Sequence, residues 1–332
     1  MKQPPIISVI IKTFNEQEGI AATIDSVRQQ LAPYRYQIIV ADSLSTDRTR
    51  TIAKEAGVTV VTLSNPEERC CGVGHQLGYL HSQGKYLLLL DGDMTLLPGF
   101  IDQALSFLEQ NDNYAGVAGT VEMEQRSSYE FKSRQQRHQK IYPLGDCDYL
   151  AGGGLYRKSA IDAIGYLTHR TLHAYEEAEL GMRLRQAGYR LRRLDTPFFH
   201  HTAYTMPTLT LMKYRWQRGY LFASGELIKS ALGTSHLGCA VRVVRNELLF
   251  GIYLFWLMIS VLIGSIGLIL WSLLPLLVFF VLKTIKNRSL KDAGFSVLNL
   301  SMLAAGLFTG LCLPIKDPTI EPEHRLEKRH QQ

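Results

Sequence analysis

Asp91 and Asp93 stand two residues apart around Gly92, directly after the apolar run 86–90. If a strand ends there and Gly92 bends the backbone, both carboxylates reach one point. Hard carboxylate oxygens suit Mg²⁺ or Mn²⁺, ions that keep coordination positions open for substrate phosphates. Such an ion would act as a Lewis acid and neutralise a diphosphate leaving group. Two further polar groups follow apolar runs in the same way. Lys12-Thr13-Phe14-Asn15-Glu16 follows residues 6–11, and Asp42-Ser43-Leu44-Ser45-Thr46-Asp47 follows residues 37–41. Singly, Asn15 or Asp42 fits a helix N-cap or a turn as well as a ligand site. The recurrence at three run ends points to a site.

The elements that must position these groups alternate. Residues 6–11, 37–41, 58–63 and 86–90 read as strands. Residues 17–30, with Ile20, Ile24 and Val27 on one face, and residues 46–56 read as helices. The pattern predicts an α/β fold with a mostly parallel sheet, crossover helices on its faces, and 86–90 as a central strand. Ligands of such sheets bind beyond the carboxyl ends of the strands, where all three polar groups fall.

Together, Thr13-Phe14-Asn15-Glu16, the segment 42–47 and Leu90-Asp91-Gly92-Asp93 resemble the inverting family 2 glycosyltransferases with a GT-A fold, over residues 6–219. The resemblance implies a nucleotide-diphosphate sugar donor (UDP-, GDP- or TDP-linked). Thr13, Glu16 and Asp42 would hold base and ribose, with Asn15 also in the nucleotide-sugar site, Asp91 would face the nucleotide, and Asp93 would ligate Mg²⁺ or Mn²⁺. Leu44 stands where the family usually has Gly. Ala151-Gly152-Gly153-Gly154-Leu155-Tyr156-Arg157 resembles the family's glycine-then-Arg segment, placing Gly153 beneath the sugar and acceptor. Tyr175-Glu176-Glu177-Ala178-Glu179-Leu180 resembles its E-D-x-[DE]-L segment, whose Asp is the base; Glu177 takes that place, with Glu176 beside it. Clustered carboxylates raise one another's pKa towards the range of a general base. His200 or His201 follows a strand read over 193–199, where the family often places a metal-binding histidine; a surface pair is the other reading. Arg215 and Trp216 match the end of the family's Q-x-x-R-W motif, with Met212 in place of Gln. They would contact the diphosphate and stack on an acceptor sugar, or else anchor an interfacial helix.

The chain has 332 residues, 46% hydrophobic and 20% charged, and a net charge of +6. Its charge is unevenly placed: residues 1–125 carry 9 basic and 15 acidic groups, residues 126–247 carry 19 and 10. The basic part includes Arg126, Lys132, Arg134, Arg137 and Lys140 with Tyr129 and Phe131, a solvated helix or a cationic flap over phosphates. No basic-aromatic motif of a nucleic-acid reader is present. Five cysteines without metal-site spacing read as reduced thiols. Residues 248–282 and 293–315 contain no charge, and each is longer than the roughly 20 residues needed to cross a bilayer. Gly264-Ser265-Ile266-Gly267 divides the first into a hairpin. Basic groups on both sides of it favour an even number of passes there, while basic groups in the tail conflict with one more; two to four passes stand open.

The domains expected are a GT-A catalytic domain over 1–228 (nucleotide half 1–125, acceptor half 126–228), an interfacial linker over 229–247, transmembrane segments over 248–315, and a polar tail over 316–332. The activity expected is that of a multi-pass membrane glycosyltransferase with a cytoplasmic catalytic domain, acting on a lipid-linked or glycan acceptor. Rival readings are a polyprenyl-phosphate glycosyltransferase, whose acceptor needs no base, and a nucleotidyltransferase, for which the phosphate loop after the first strand is missing.

Overall fold

The computed structural model describes residues 6–123, 137–201 and 206–328. The expected flap residues Arg126, Tyr129, Phe131, Lys132 and Arg134 lie outside the described residues. Among the described residues, 6–123, 137–201 and 316–328 form one compact unit and 206–315 a second.

The first unit is built on a ten-stranded sheet. Its strands are β1 (Ile7–Thr13), β2 (Tyr36–Asp42), β3 (Thr59–Leu63), β4 (Tyr86–Asp91), β5 (Met94–Leu96), β6 (Tyr114–Met123), β7 (Gly145–Cys147), β8 (Gly154–Arg157), β9 (Arg190–His201) and β10 (His324–Lys328). They run in the order β10-β3-β2-β1-β4-β8-β6-β9-β5, with β7 also on β9. Strands β3, β2, β1 and β4 are parallel. Val9, Ile10 and Ile11 of β1 and Leu87 to Leu90 of β4 are wholly buried, as central strands covered on both faces must be.

The other half departs from the parallel expectation. Strand β8 runs antiparallel to both β4 and β6, and β5 and β7 run antiparallel to β9. The sheet is therefore mixed. Strand β6, with the sequence YAGVAGTVEM, has neither apolar alternation nor a continuous apolar run, so its place in the sheet is set by partners far along the chain. His200 and His201 do not follow a strand; they belong to β9, because Thr95 and Met94 of β5 give them ladder partners. The tail segment His324–Lys328 is likewise a strand, antiparallel to β3 at the sheet edge.

Helices cover the sheet. Helix Ile20–Leu31 starts three residues later than its pattern predicts, after a turn in which the Gly19 and Ile20 amides bond the Glu16 carbonyl. In helix Cys71–Tyr79, a methyl on Gly74 would sit 2.8 Å from Lys12 Cβ, and one on Gly78 2.3 Å from Ile10 Cγ2. Helix and strand thus meet at a distance only glycine allows, which fixes the Lys12 stem.

In the second unit, Arg245–Ile263, Ile266–Asn287 and Leu290–Cys312 are three helices long and apolar enough to cross a membrane. The first two are divided where the sequence predicts, at left-handed Gly264 (φ 74°) and the capping Ser265.

Candidate active site

The site grows from the carboxyl ends of β1, β2 and β4. Asp42 closes β2 wholly buried, accepting from Thr13 Oγ1 (3.3 Å) and the Ser45 amide (2.9 Å), with Arg50 Nε 3.7 Å away. Burial raises its pKa above the usual carboxylate value, although these partners act against the shift. Asn15 is left-handed (φ 58°) and binds the second loop: its amide donates to Ser45 Oγ at 2.9 Å, and its Oδ1 accepts from the Thr46 amide at 2.8 Å. Leu44 holds φ 63°, the conformation glycine favours, with its side chain against the cluster of Ile39, Val61 and Val73. That apolar contact offsets the strain of a left-handed leucine.

Gly92 lies between Thr13 and Glu16, where a methyl would come within 2.9 Å of Thr13 Cγ2 and 3.0 Å of Glu16 Cβ. Glu16 is half-buried, and burial followed by repulsion from Asp93 and Asp91 pushes it up to about 8. Asp91 faces Lys12 Nζ at 3.3 Å, with His75 Nε2 3.8 Å from the same oxygen. His75 is buried, and desolvation with the nearby Lys12 charge lowers it to about 4, so its ring is neutral.

Asp93 meets His201 Nε2 at 3.3 Å through Oδ2, while its Oδ1 is buried with no hydrogen-bond partner. A buried carboxylate oxygen without a partner is costly, and a cation would satisfy it. Adjacent ligands of an octahedral Mg²⁺ at roughly 2.1 Å lie about 3 Å apart, close to the 3.3 Å between Asp93 Oδ2, the other oxygen, and His201 Nε2. Among the described residues no group of three or more His, Cys, Asp or Glu side chains could hold a metal. The β9 ladder separates the two histidines: successive residues face opposite sides, so His200 is turned away from the side on which His201 meets Asp93.

The third component comes from helix Glu176–Gln186, entered through left-handed Tyr175 (φ 65°). Glu176 accepts from Lys12 Nζ at 3.0 Å. Glu177 accepts from the amides of Gly152 (3.0 Å) and Gly153 (2.6 Å). Both glycines are left-handed, at φ 80° and 84°, and a methyl on Gly153 would lie 2.2 Å from the Leu89 carbonyl oxygen. Burial first, then Glu176, raises Glu177 to about 7, against the opposing effect of Lys12. Glu179 is structural: Arg183 pairs with both its oxygens at 2.7 and 2.8 Å, and Tyr166 Oη donates to it at 2.6 Å.

The structure therefore brings Thr13, Glu16, Asp42, Asp91, Asp93, Gly153, Glu176, Glu177 and His201 to the strand ends of one unit, with Asn15 bracing two loops. Arg215 and Trp216 lie on helix Thr208–Gln217 of the second unit. There Trp216, Met212 and Lys213 line a cavity of about 530 Å³ with Leu298, Met302 and Ala305.

Two residues escape a reading by motif. Lys12 joins two carboxylates that lie 79 and 164 residues away, a contact no local pattern reveals. Arg193, 1% exposed on β9, donates to the carbonyls of Gly119 and Ala151 and so braces the strand-to-glycine-loop junction from below. Its strand, RLRRLDTPFFHH, carries three arginines, so nothing local marks the one that is buried.

Residues 8–165 match the Glycosyl transferase family 2 model. The succinoglycan biosynthesis protein ExoA of Rhizobium meliloti is 26% identical over 199 residues, 56% of this chain and 60% of ExoA. The low-salt glycan biosynthesis hexosyltransferase Agl6 of Haloferax volcanii is 30% identical over 122 residues, 36% of this chain and 29% of Agl6. The chain thus spans 60% or less of the length of either relative. The crystal structure of residues 1–349 of S. aureus TarS in complex with UDP-GlcNAc superposes with a TM-score of 0.52 at 16% identity, covering 72% of this chain and 71% of that one, a likeness of fold. Residues 8–165 are thus similar to family 2 glycosyltransferases, on a sheet of GT-A fold, and three helices long and apolar enough to cross a membrane follow.

Proposed function

We propose that the chain is a membrane-anchored inverting glycosyltransferase that moves a sugar from a nucleotide-diphosphate donor to an acceptor hydroxyl. The observation that carries this reading is Glu177. It is a carboxylate held by two glycine amides at the strand ends, with a pKa of about 7, in the same unit as Asp42, Asp91 and Asp93.

Asp42, with Thr13 at its side, would receive the ribose and base. Asp93 and His201 would hold Mg²⁺ or Mn²⁺, which when bound supplies positive charge to the departing diphosphate. Glu177 would take the proton of the acceptor hydroxyl, whose oxygen attacks the anomeric carbon from the face opposite the leaving group. One displacement inverts that centre, and no covalent intermediate on the protein is required. Glu177 suits the task because a base with a pKa near the working pH is both available and strong enough. Lys12 and Glu176 would fix the start of its helix. The catalytic domain, 1–228 by the sequence reading, would work at the cytoplasmic surface on a lipid-linked or surface-glycan acceptor. The relatives named for succinoglycan and glycan biosynthesis support a glycan product.

Incubating the purified chain with UDP-, GDP- and TDP-sugars and Mg²⁺ or Mn²⁺, and following nucleoside diphosphate release, tests the reading. At least one donor should be consumed; inertness towards all of them would count against it.

A further inference from the structure

The catalytic sheet takes strands from both sides of the apolar region. Strand β9 ends at His201, before the three apolar helices, and β10 begins at His324, after them. Strand β10 pairs with β3, His324 opposite Leu63 and Leu326 opposite Val61. The tail is tied down further. Arg170 Nη1 donates to the Ile320 carbonyl at 2.6 Å, the Lys316 amide to Thr171 Oγ1 at 3.0 Å, and Arg50 and Lys54 pair with Glu327 at 3.0 and 2.5 Å. One folded unit with a sheet at its centre lies on one side of a bilayer. The chain that leaves it before residue 206 and rejoins it at residue 316 must cross an even number of times. Three crossings are excluded, although three helices are long and apolar enough.

We infer that Arg245–Ile263 and Ile266–Asn287 cross and return as a hairpin, and that Leu290–Cys312 does not cross but lies along the membrane surface on the catalytic side. This rests on the membrane anchorage proposed above.

Hydrogen bonding and charge select which helix stays; length does not, since the third, at 23 residues, is also long enough. The first two helices are bound to each other inside their apolar length: Tyr253 Oη donates to the Ser272 carbonyl (2.8 Å), Trp256 Nε1 to Ser272 Oγ (3.1 Å), and the Ser260 and Ser272 hydroxyls meet at 2.9 Å. At 19 and 22 residues they measure about 28 and 33 Å at 1.5 Å per residue, matching a hydrocarbon core of roughly 30 Å. Charge agrees: Arg242 and Arg245 stand at the start of the pair, Lys283 and Lys286 in its last turns with Arg288 and Lys291 just beyond, and its tip, Gly264-Ser265, has none. A hairpin places both basic clusters on one side. Pairing the second and third helices instead would put the second cluster across the membrane from the first.

The third helix is also the least apolar of the three and buries the largest share of its residues against protein. A methyl on Gly306 would lie 2.1 Å from the Leu221 carbonyl oxygen, one on Gly310 2.0 Å from that of Phe222, and one on Gly225 2.0 Å from that of Leu307. One face of this helix is thus pressed onto the chain around helix Ala223–Ser230, backbone against backbone. The opposite reach, with Leu298 and Met302, lines the cavity shared with Trp216.

Labelling with a membrane-impermeant maleimide tests the arrangement. Ser265→Cys, Arg288→Cys and Glu321→Cys are made in the full chain, with the parental protein as background for its own cysteines. In intact cells Ser265→Cys should label, whereas Arg288→Cys and Glu321→Cys should label only after the membrane is opened. Labelling of Glu321→Cys together with Ser265→Cys would overturn the inference, as would protection of all three. A reporter active only in the cytoplasm, fused after residue 332, should be active; an inactive reporter on stably folded protein would also overturn it. Carbonate extraction reads the anchorage separately: release into the soluble fraction would remove the membrane reading, and this inference with it.

Discussion

Lys12 Nζ lies 3.0 Å from Glu176 Oε1, so one side chain joins the end of the first strand to the first residue of the helix that carries Glu177. It also reaches Asp91 at 3.3 Å. Burial alone would lower the Lys12 pKa, yet these two carboxylates hold it well above the ordinary value, and it stays charged. Lys12→Met leaves Glu176 buried without its cation, at a cost of roughly 3 kcal/mol. Lys12 opposes the upward shift of Glu177, so its loss should also move the acid limb of the pH–rate profile upward. Chemical denaturation and pH–rate profiles of the variant check the two effects separately, and an unmoved limb would deny Lys12 its electrostatic part.

Glu16 gives a stability signature. Its pKa is about 8 when folded and near 4.5 when unfolded, so between those values the folded state keeps a proton that the unfolded state has lost. The stability it contributes is present below about pH 4.5 and falls away as pH rises to about 8. Glu16→Gln, in chelator, should therefore show a Tm advantage over the parent that grows between about pH 5 and about pH 8. A constant difference across that range would contradict the shift.

Gly153 supports the base from beneath. Gly153→Ala adds a methyl 2.2 Å from the Leu89 carbonyl oxygen at a residue with φ 84°. Strain of this kind costs about 1–3 kcal/mol before any clash is counted, and it displaces an amide bonded to Glu177. The expected outcome is a lower Tm with kcat falling more than donor affinity. Gly57→Ala, also at positive φ (74°) but with open space around it, should lower Tm alone.

The parallel half of the sheet was legible because each strand is an apolar run followed by a polar cluster, and the acidic pair Asp91 and Asp93 stood out by spacing. The antiparallel half was not. Strands β6 and β8 are rich in glycine, and their pairing partners lie 38 or more residues away along the chain. Leu44 was legible as a departure from the family, but its left-handed backbone is held by packing that no local rule reveals. The basic tail conflicted with the charge rule for membrane passes because its strand pairs with β3, a contact spanning about 260 residues.

Asp93 and His201 make a paired prediction. If they hold Mg²⁺ or Mn²⁺, chelation should abolish transfer and Asp93→Ala should lose it by about 10²-fold or more, the scale of a lost metal or transition-state contact. His201→Ala should raise the metal concentration needed for half-maximal activity by about 10–100-fold. His200→Ala, facing the other side of β9, should leave it unchanged. Equal effects of the two histidine variants would remove His201 from the metal site.

The account stands or falls on Glu177. Donor turnover by the parent and by Glu177→Gln, followed as nucleoside diphosphate release against pH with acceptor present, is the most direct measurement. The parent rate should rise through about pH 7 as the carboxylate ionises, and the variant should lose about 10²–10⁴-fold while still binding donor. Near-full activity in the variant, or a parent rate with no limb near neutrality, would contradict the assignment of Glu177 as the base.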